Sequence, residues 1–273
     1  MNTIIVATDY SPEAENAMNY AASAAASIGN YEIILFNLYK LSVHTLNARS
    51  NSDFISETNA SHQRKLNKAS YQLEHAYGVK TTAYLATGDF DDEIEKCIKQ
   101  YDAMMVVVGM PKKSFEQDLM GNTTTKMLHM AKIPTLAVPL DVKYTPIKNI
   151  LFACDIMRGV HKMILRQVQA VAKLFHAEVE LFYVSEKLNE LSHQEKADAA
   201  VQKLRKNNDL DFVYKNVESS EIIEAISAEI DEFHADVLVM VPYKYGFWNS
   251  IVHRSKTREM ASGNKIPLFS IPL

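Results

Sequence analysis

Residues 4–9 read Ile-Ile-Val-Ala-Thr-Asp, and residues 150–155 read Ile-Leu-Phe-Ala-Cys-Asp. In both places a continuous apolar run ends in an acidic residue, and Asp155 follows Asp9 by 155 − 9 = 146 positions. The same shift of 146 places residues 32–36 (Glu-Ile-Ile-Leu-Phe) on residues 178–182 (Glu-Val-Glu-Leu-Phe). Matched runs at one constant spacing indicate that the chain is an internal duplication.

A second spacing relates the ends of the two halves. Residues 133–136 (Ile-Pro-Thr-Leu) match residues 266–269 (Ile-Pro-Leu-Phe) with a shift of 133, so the second half is shorter by 146 − 133 = 13 residues. We expect the first half to carry the extra residues as a loop in the polar stretch 46–61, which is rich in Asn and Ser. Residues 143–146 (Lys-Tyr-Thr-Pro) interrupt two apolar runs, which predicts domains at 1–141 and 147–273.

Each half alternates short apolar runs with helical patterns. Ser11-Pro12-Glu13 supplies an N-cap, a proline at the first helical position and an acid in the first turn, and Gly29 ends that helix. Continuous apolar runs are typical of strands buried on both faces of a parallel sheet. The sequence therefore predicts an α/β fold with two doubly wound, parallel, five-stranded sheets. The predicted strands are 4–7, 33–36, 80–86, 104–108 and 135–138, then 149–154, 178–184, 211–216, 237–241 and 268–271; further helices are predicted at 62–77, 91–100 and 123–132.

Composition and charge narrow the classes of function. A net charge of −4 and a pI of about 6.1 argue against nucleic acid as a partner, because such binders normally present a basic face. Cys97 and Cys154 lie in apolar stretches without the spacing of a metal site, so we expect core cysteines and no metal. The sequence has neither a signal-peptide pattern nor an apolar run of ~18 residues, which predicts a cytoplasmic protein that does not enter the membrane.

The carboxyl ends of the strands are the expected ligand edge of such a sheet, at the point where the strand order reverses. In the first half this edge comprises Ala7-Thr8-Asp9, the residues around Leu38, and the loop that begins at Gly109. A glycine-led polar turn, residues 121–125 (Gly-Asn-Thr-Thr-Thr), then opens a helix whose backbone N–H groups and hydroxyls suit phosphate oxygens. Asn122 and Thr123 are equally good N-caps, so a purely structural role stays open.

Together, the element order, Asp9 after the first strand and this loop resemble the universal stress protein family, once in each half. The resemblance implies a Rossmann-like sheet of the adenine nucleotide alpha hydrolase kind. Some members of the family bind ATP through the pattern Gly-x2-Gly-x9-Gly-Ser/Thr. Gly109 matches its first glycine, Lys112 replaces its second, and Gly121 arrives one residue early. Asn122 follows Gly121 in place of Ser or Thr, so the resemblance implies that Thr123 and Thr124 would supply the hydroxyl. Lys112 would either add a cation for phosphate or crowd the loop.

The same resemblance implies a site for ATP, with magnesium, in the first half. Asp9 would face the ribose or the adenine, with Ala7 and Thr8 beside it, and the backbone near Leu38 would meet the adenine edge. An alternative role for Asp9 is to cap the helix that starts at Ser11. In the second half, the shift of 133 puts Pro242, Tyr245 and Arg254 at the positions of Gly109, Lys112 and Gly121, which predicts a degenerate site.

Three functions are compatible with the sequence. The first is a stress-response regulatory protein that binds ATP or a related nucleotide in its first half. The second is a module of the same fold that binds a protein partner and no nucleotide. The third, a weak ATPase, has the least support, because neither a phosphate-binding Gly-x4-Gly-Lys-Ser/Thr loop nor a nucleophile elbow is present. We also expect self-association through residues 135–138 and 269–271, within the chain and in a homodimer.

Overall fold

The computed structural model describes residues 1–39, 52–110, 127, 132–154, 162–185, 212–219, 221–241 and 265–272. The chain forms two compact units, Met1–Gly109 and Met110–Leu273. The helices and strands of the first are β1 (Asn2–Ala7), α1 (Pro12–Ile28), β2 (Tyr31–Tyr39), α2 (Ser52–Tyr77), β3 (Thr81–Thr87), α3 (Phe90–Tyr101) and β4 (Ala103–Met110). Those of the second are β5 (Thr135–Pro139), β6 (Asn149–Ala153), α4 (Lys162–Phe175), β7 (Glu178–Ser185), β8 (Phe212–Glu218), α5 (Ile222–Glu232), β9 (Val237–Met240) and β10 (Leu268–Ser270). The division into domains 1–141 and 147–273 stays a prediction.

The first unit contains a parallel sheet with the strand order β3-β2-β1-β4. The middle residues of its central strands are buried, as the apolar runs predicted, and Ile5, Ile33 and Leu35 have no exposed surface. The chain passes from β1 to β2 and β3 on one side, whereas β4 lies on the other side of β1. The strand order therefore reverses between β1 and β4.

Helix α1 follows its sequence signals closely. Ser11 is the N-cap, its Oγ accepts a hydrogen bond from Ala14 N, and Pro12 occupies the first helical position. The helix ends at Ile28 because Gly29 and Asn30 adopt positive φ angles of 76° and 60°. A row of small residues lets α1 pack closely; its buried alanines are Ala14, Ala17, Ala21, Ala22 and Ala25.

The second unit repeats the strand order of the first. Strands β10, β9, β6, β7 and β8 are parallel neighbours, and the predicted doubly wound α/β class is confirmed. Strand β5, in the same unit, pairs with β10 in antiparallel orientation, with Leu136 opposite Phe269. Ala137 pairs with Leu268, and Thr135 pairs with Ser270. The shift of 133 relates these two pairs to each other, because Ala137 corresponds to Ser270 and Thr135 to Leu268. The structure thus places the last strands of the two sequence halves beside each other.

Local hydrogen bonds confirm the duplication. Thr8 N donates to Phe36 O over 2.8 Å, and Cys154 N donates to Phe182 O over 3.1 Å, each pair related by the shift of 146. Asn30 and His176, related by the same shift, both adopt left-handed φ angles, 60° and 53°. Equivalent backbone conformations therefore connect the first helix to the second strand in each half.

Helix α2 is longer than the sequence predicted. It begins at Ser52, so the larger part of the stretch 46–61, predicted as a loop, is helical from that residue. The prediction was wrong there because Asn- and Ser-rich sequence lacks an apolar period and is a weak helix signal. The buried side chains Leu66 and Leu73 hold the later turns of the helix against the sheet, and the first turns extend it as a polar helix.

The cysteines and the membrane prediction have simple outcomes. Cys97 and Cys154 are both buried, as predicted, and burial raises the pKa of the Cys97 thiol to about 12. None of the helices in the described ranges is both long and apolar enough to cross a bilayer.

Candidate functional site

The loop from β1 to α1 is fixed by short hydrogen bonds. Asn37 Nδ2, at the end of β2, donates to Thr8 O over 2.7 Å, and Tyr10 N donates to Thr8 Oγ1 over 3.1 Å. Thr8 is buried, Ala7 is half-buried, and Ala7 pairs with Phe36 in the sheet. The loop therefore leaves the sheet in one defined direction, with Asp9 at its most exposed point.

Asp9 combines exposure with a fixed orientation. Its Oδ1 accepts the Ser11 backbone N–H over 2.9 Å, while Ser11 Oγ serves as the N-cap of α1. The capping role that the sequence left open for Asp9 thus belongs to Ser11. Asp9 instead stabilises the turn just before the helix, and its carboxylate faces solvent beside the helix N-terminus.

Tyr10 is a feature that the sequence analysis missed. It adopts a left-handed φ of 64°, which is uncommon for an aromatic residue. Lys65 Nζ, from α2, lies 3.7 Å above the centre of its ring, a cation–π contact. The Tyr10 hydroxyl is buried without a hydrogen-bond partner in the described part of the chain, and burial raises its pKa. No sequence signal joins Tyr10 to Lys65, because they lie on separate elements.

Gly109 is required by packing rather than by backbone conformation. An ideal Cβ at this position would lie 2.5 Å from Glu13 C and O and 2.7 Å from Ala14 N. The first turn of α1 therefore crosses the end of β4 in direct backbone contact. The missing side chain at Gly109 therefore makes room for the backbone of α1 at the end of β4.

A second contact between strand edge and helix lies at the end of β2. Leu38 is half-buried and pairs with Ala86 of β3. The ring of the next residue, Tyr39, lies 3.9 Å from the ring of His62 on α2. Helix α2 thus brings His62 and Lys65, one turn apart, to the carboxyl ends of β1 and β2. His62 was also missed, since a lone histidine in a polar helix carries no signal.

The structure locates half of the predicted site. Ala7, Thr8, Asp9, Leu38 and Gly109 lie at or just beyond the carboxyl ends of three adjacent strands, β1, β2 and β4. Asp9 and Gly109 flank the point where the strand order reverses, which is where open α/β sheets bind ligands. The remaining predicted residues, Lys112, Gly121, Asn122, Thr123 and Thr124, lie outside the described residues.

The second half has a different residue at the Gly109 position than the sequence predicted. Val6 pairs with Val107, and its counterpart Phe152 pairs with Val239, so β4 and β9 are related by 239 − 107 = 132 rather than 133. Val241 therefore corresponds to Gly109, and the assignment of Pro242 was wrong by one residue. The error arose because the shift of 133 was derived from residues 133–136 and 266–269, which lie at the last strand of each half and not at β4 and β9. Val241 is buried and β-branched, so the second half lacks a glycine at this point.

The fold and this edge define a class of protein: a doubly wound α/β domain, present twice, with an acidic turn after its first strand. The family model described as "Universal stress protein family" matches residues 1–139. The chain therefore belongs to the universal stress protein family.

Solved structures share this fold over the full length. A universal stress protein from Archaeoglobus fulgidus DSM 4304 has a TM-score of 0.74 at 20% identity, covering 99% of this chain and 98% of its own. A putative universal stress protein from Pseudomonas aeruginosa UCBPP-PA14 has a TM-score of 0.62 at 13% identity, covering 100% of this chain and 93% of its own. A shorter structure, of a universal stress protein family protein from Arabidopsis thaliana with AMP bound, matches only half of the chain: it covers 51% of this chain and 92% of its own, with 19% identity and a TM-score of 0.38. No curated protein sequence matches the chain.

Proposed function

We propose that the chain is a regulatory protein of the stress-response type that binds ATP, with magnesium, or a related nucleotide at the carboxyl edge of its first sheet. The observation that carries the proposal is the placement of Asp9. Its exposed carboxylate is held by the Ser11 N–H beside the reversal point between β1 and β4. A preoriented carboxylate at this point suits a ribose hydroxyl, as the acidic residue of dinucleotide folds does.

The charge around the edge supports an anionic ligand with a polar, hydroxylated part. Lys65 lies over the ring of Tyr10, the residue that follows Asp9 in the sequence. The predicted loop adds Lys112 and the turn at Gly121. The nucleotide would thus find a carboxylate for its sugar and cations and backbone N–H groups for its phosphates. Hydrolysis is not part of the proposal, and the cytoplasmic location stays a prediction from the sequence.

Assembly through the last strands is also part of the proposal. The antiparallel pair β5–β10 satisfies both strand edges within one chain. Pairing inside the chain would replace the homodimer of single-domain relatives.

The Asp9→Asn variant separates ligand binding from folding. An asparagine oxygen can still accept the Ser11 N–H, so the turn is retained while the charge is lost. We expect ATP affinity to fall about 10- to 100-fold, the usual effect of removing a charged hydrogen-bond partner. The free energy of unfolding should change by less than about 0.5 kcal/mol.

Calorimetric titration with ATP and magnesium measures this effect, and Glu15→Gln is the matched control. Glu15 is an exposed acid in the first turn of the same helix, so this variant removes one negative charge near the same helix N-terminus and leaves the Asp9 carboxylate in place. Equal affinities in parent and Asp9→Asn proteins would contradict the role of Asp9.

The Gly121→Val variant tests the phosphate end of the same site. A branched side chain in the glycine-led turn should block close approach of phosphate, and we expect ATP binding to become undetectable by calorimetry. Arg254→Val, at the position that the shift of 133 taken from the last strand relates to Gly121, should leave binding intact. A parent-like affinity in Gly121→Val would remove this turn from the site.

Titration of the unmodified protein with ATP distinguishes the two main functions. Binding of ATP at one site per chain would support a nucleotide-binding site in the first half. The absence of both heat and any rise in melting temperature at millimolar ATP would instead favour the module that binds a protein partner without nucleotide.

A further inference from the structure

A cluster of charged side chains is buried in the second unit, away from the edge described above. Glu180 on β7 and Glu229 on α5 are 5% and 4% exposed. Lys215 Nζ, on β8, lies 2.9 Å from Glu229 Oε1, 2.7 Å from Glu229 Oε2 and 3.0 Å from Glu232 Oε1. We call Glu180, Lys215, Glu229 and Glu232 the α5 cluster. It joins one helix to two adjacent strands.

The first half has uncharged residues at the three inner positions of this cluster. The shift of 146 relates Glu180 to Ile34, which is fully buried. Phe36 pairs with Tyr84 and its counterpart Phe182 with Lys215, so Lys215 occupies the position of Tyr84. Helix α3 has two buried residues three positions apart, Ile94 and Cys97, and α5 has two at the same spacing, Ile226 and Glu229. Glu229 therefore corresponds to Cys97.

A charged set at these positions is energetically less favourable than the uncharged residues of the first half. Buried ion pairs are costly to desolvate, and apolar residues of similar volume commonly stabilise the same site as well or better. The first half demonstrates that the fold accepts Ile34, Tyr84 and Cys97 at these positions. The charged set is therefore a property of the second half, not a requirement of the fold.

The chemistry of the cluster depends on one proton. The carboxyl group of Glu229 lies beside that of Glu180, whose Oε1 is buried without a hydrogen-bond partner among the described residues, and both features favour a proton on Glu180. With that proton, Glu180 is neutral and Lys215 balances Glu229. Without it, two carboxylates face each other in the interior and only one cation, Lys215, compensates them. The exposed Glu232, whose side chain is 72% accessible, adds a further negative charge at the surface.

We propose that the α5 cluster is a proton-operated latch, in which a proton on the buried Glu180 keeps α5 packed on β7 and β8, because its loss would leave two buried carboxylates beside one lysine, and the helix would then loosen. Burial, followed by the charge of Glu229, raises the pKa of Glu180 to about 7. In the described residues, the charged groups that face Glu180 are Glu229 and Glu232 from α5 and Lys215 from β8, and its neighbour in β6 is the apolar Leu151. This proposal does not depend on nucleotide binding.

The direction of the pH effect follows from the raised pKa. The docked helix favours protonated Glu180, whereas an open helix exposes Glu180 to water with its ordinary pKa of 4.5. Docking is therefore most favourable below pH 4.5 and weakens as the pH rises through about 7. With these two pKa values, the ratio of docked to open helix falls roughly 70-fold between pH 5 and pH 8.

Hydrogen exchange of the full-length protein tests the latch. After correction for the intrinsic pH dependence of exchange, protection of the α5 amides should fall by that factor between pH 5 and pH 8. Helix α3, the counterpart without the cluster, is the internal control and should not show this loss. In Glu180→Gln, which stays uncharged at every pH, α5 should behave like α3. Glu178→Gln, an exposed carboxylate on the same strand, should behave like the parent.

A carbon-detected titration of the glutamate side chains in the parent provides an independent measurement. We expect Glu180 to titrate near pH 7, and Lys215→Met to move that transition to higher pH because the lysine favours the ionised form. Titration of Glu180 near its ordinary pKa, or identical pH dependence of α5 and α3 in the parent, would overturn the proposal.

Discussion

The Gly109→Ala variant is expected to lose about 3 kcal/mol of stability in the first unit, at the upper end of the usual cost of overpacking. The new Cβ would lie 2.5 Å from the Glu13 carbonyl, a separation that real Cβ atoms essentially never show. The atoms it meets are backbone, which cannot rotate away as a flexible side chain can. The first turn of α1 must therefore shift, and the Asp9–Ser11 turn that precedes it should shift with it.

Native-state hydrogen exchange of the β1 and β2 amides is the appropriate measurement, because a chain with two units need not unfold in one step. Gly78→Ala is the matched control. Gly78 has a φ of +67° and nothing within 4 Å of an ideal Cβ, so only backbone strain opposes that change. We expect a cost of about 1 kcal/mol there. Equal costs at both positions would contradict the close contact between α1 and β4.

The Phe36→Ala variant should also lose about 3–5 kcal/mol, the usual cost of removing a fully buried phenylalanine. Phe36 is 1% exposed and lies in the middle of the first sheet. Its ring stacks on Tyr84 with centroids 5.8 Å apart and meets Phe90 edge-on at 5.9 Å, so its loss leaves a cavity lined by two aromatic rings. The α3 helix, which begins at Phe90, should lose protection together with β2.

Exposure distinguishes this effect from a general sensitivity to losing aromatic residues. Tyr71 on α2 is 70% exposed, and Tyr71→Ala should change the free energy of unfolding by less than about 0.5 kcal/mol. Urea denaturation and hydrogen exchange of both variants provide the comparison. A loss below about 1 kcal/mol in Phe36→Ala would mean that the aromatic cluster is loosely packed.

The two halves have diverged in different places while keeping one fold. Gly109 in the first half corresponds to Val241 in the second, at the edge where a ligand is proposed. Ile34 in the first half corresponds to Glu180 in the second, beneath a helix. The first half thus has the edge where a nucleotide is proposed to bind, whereas the second half has titratable groups in its interior. A nucleotide response and a proton response would then reside in different units.

Much of the fold could be predicted from residues alone because the signals are local. The apolar runs around Ile5 and Ile34 identified β1 and β2, and Ser11-Pro12 and Gly29 gave both ends of α1. The constant shift of 146 made the second half a check on the first. Prediction failed where the sequence carries no period, as in the polar start of α2 at Ser52.

The sequence alone determined the α/β class, the duplication and the strand ends that form the candidate site, since each depends on patterns within a few residues. Only the tertiary structure decided that Gly109 contacts the first turn of α1, that Lys65 covers Tyr10, and that Val241 rather than Pro242 matches Gly109. These facts depend on strand register and on contacts between residues far apart in the chain. The local sequence around a residue does not indicate which distant residue its side chain will contact.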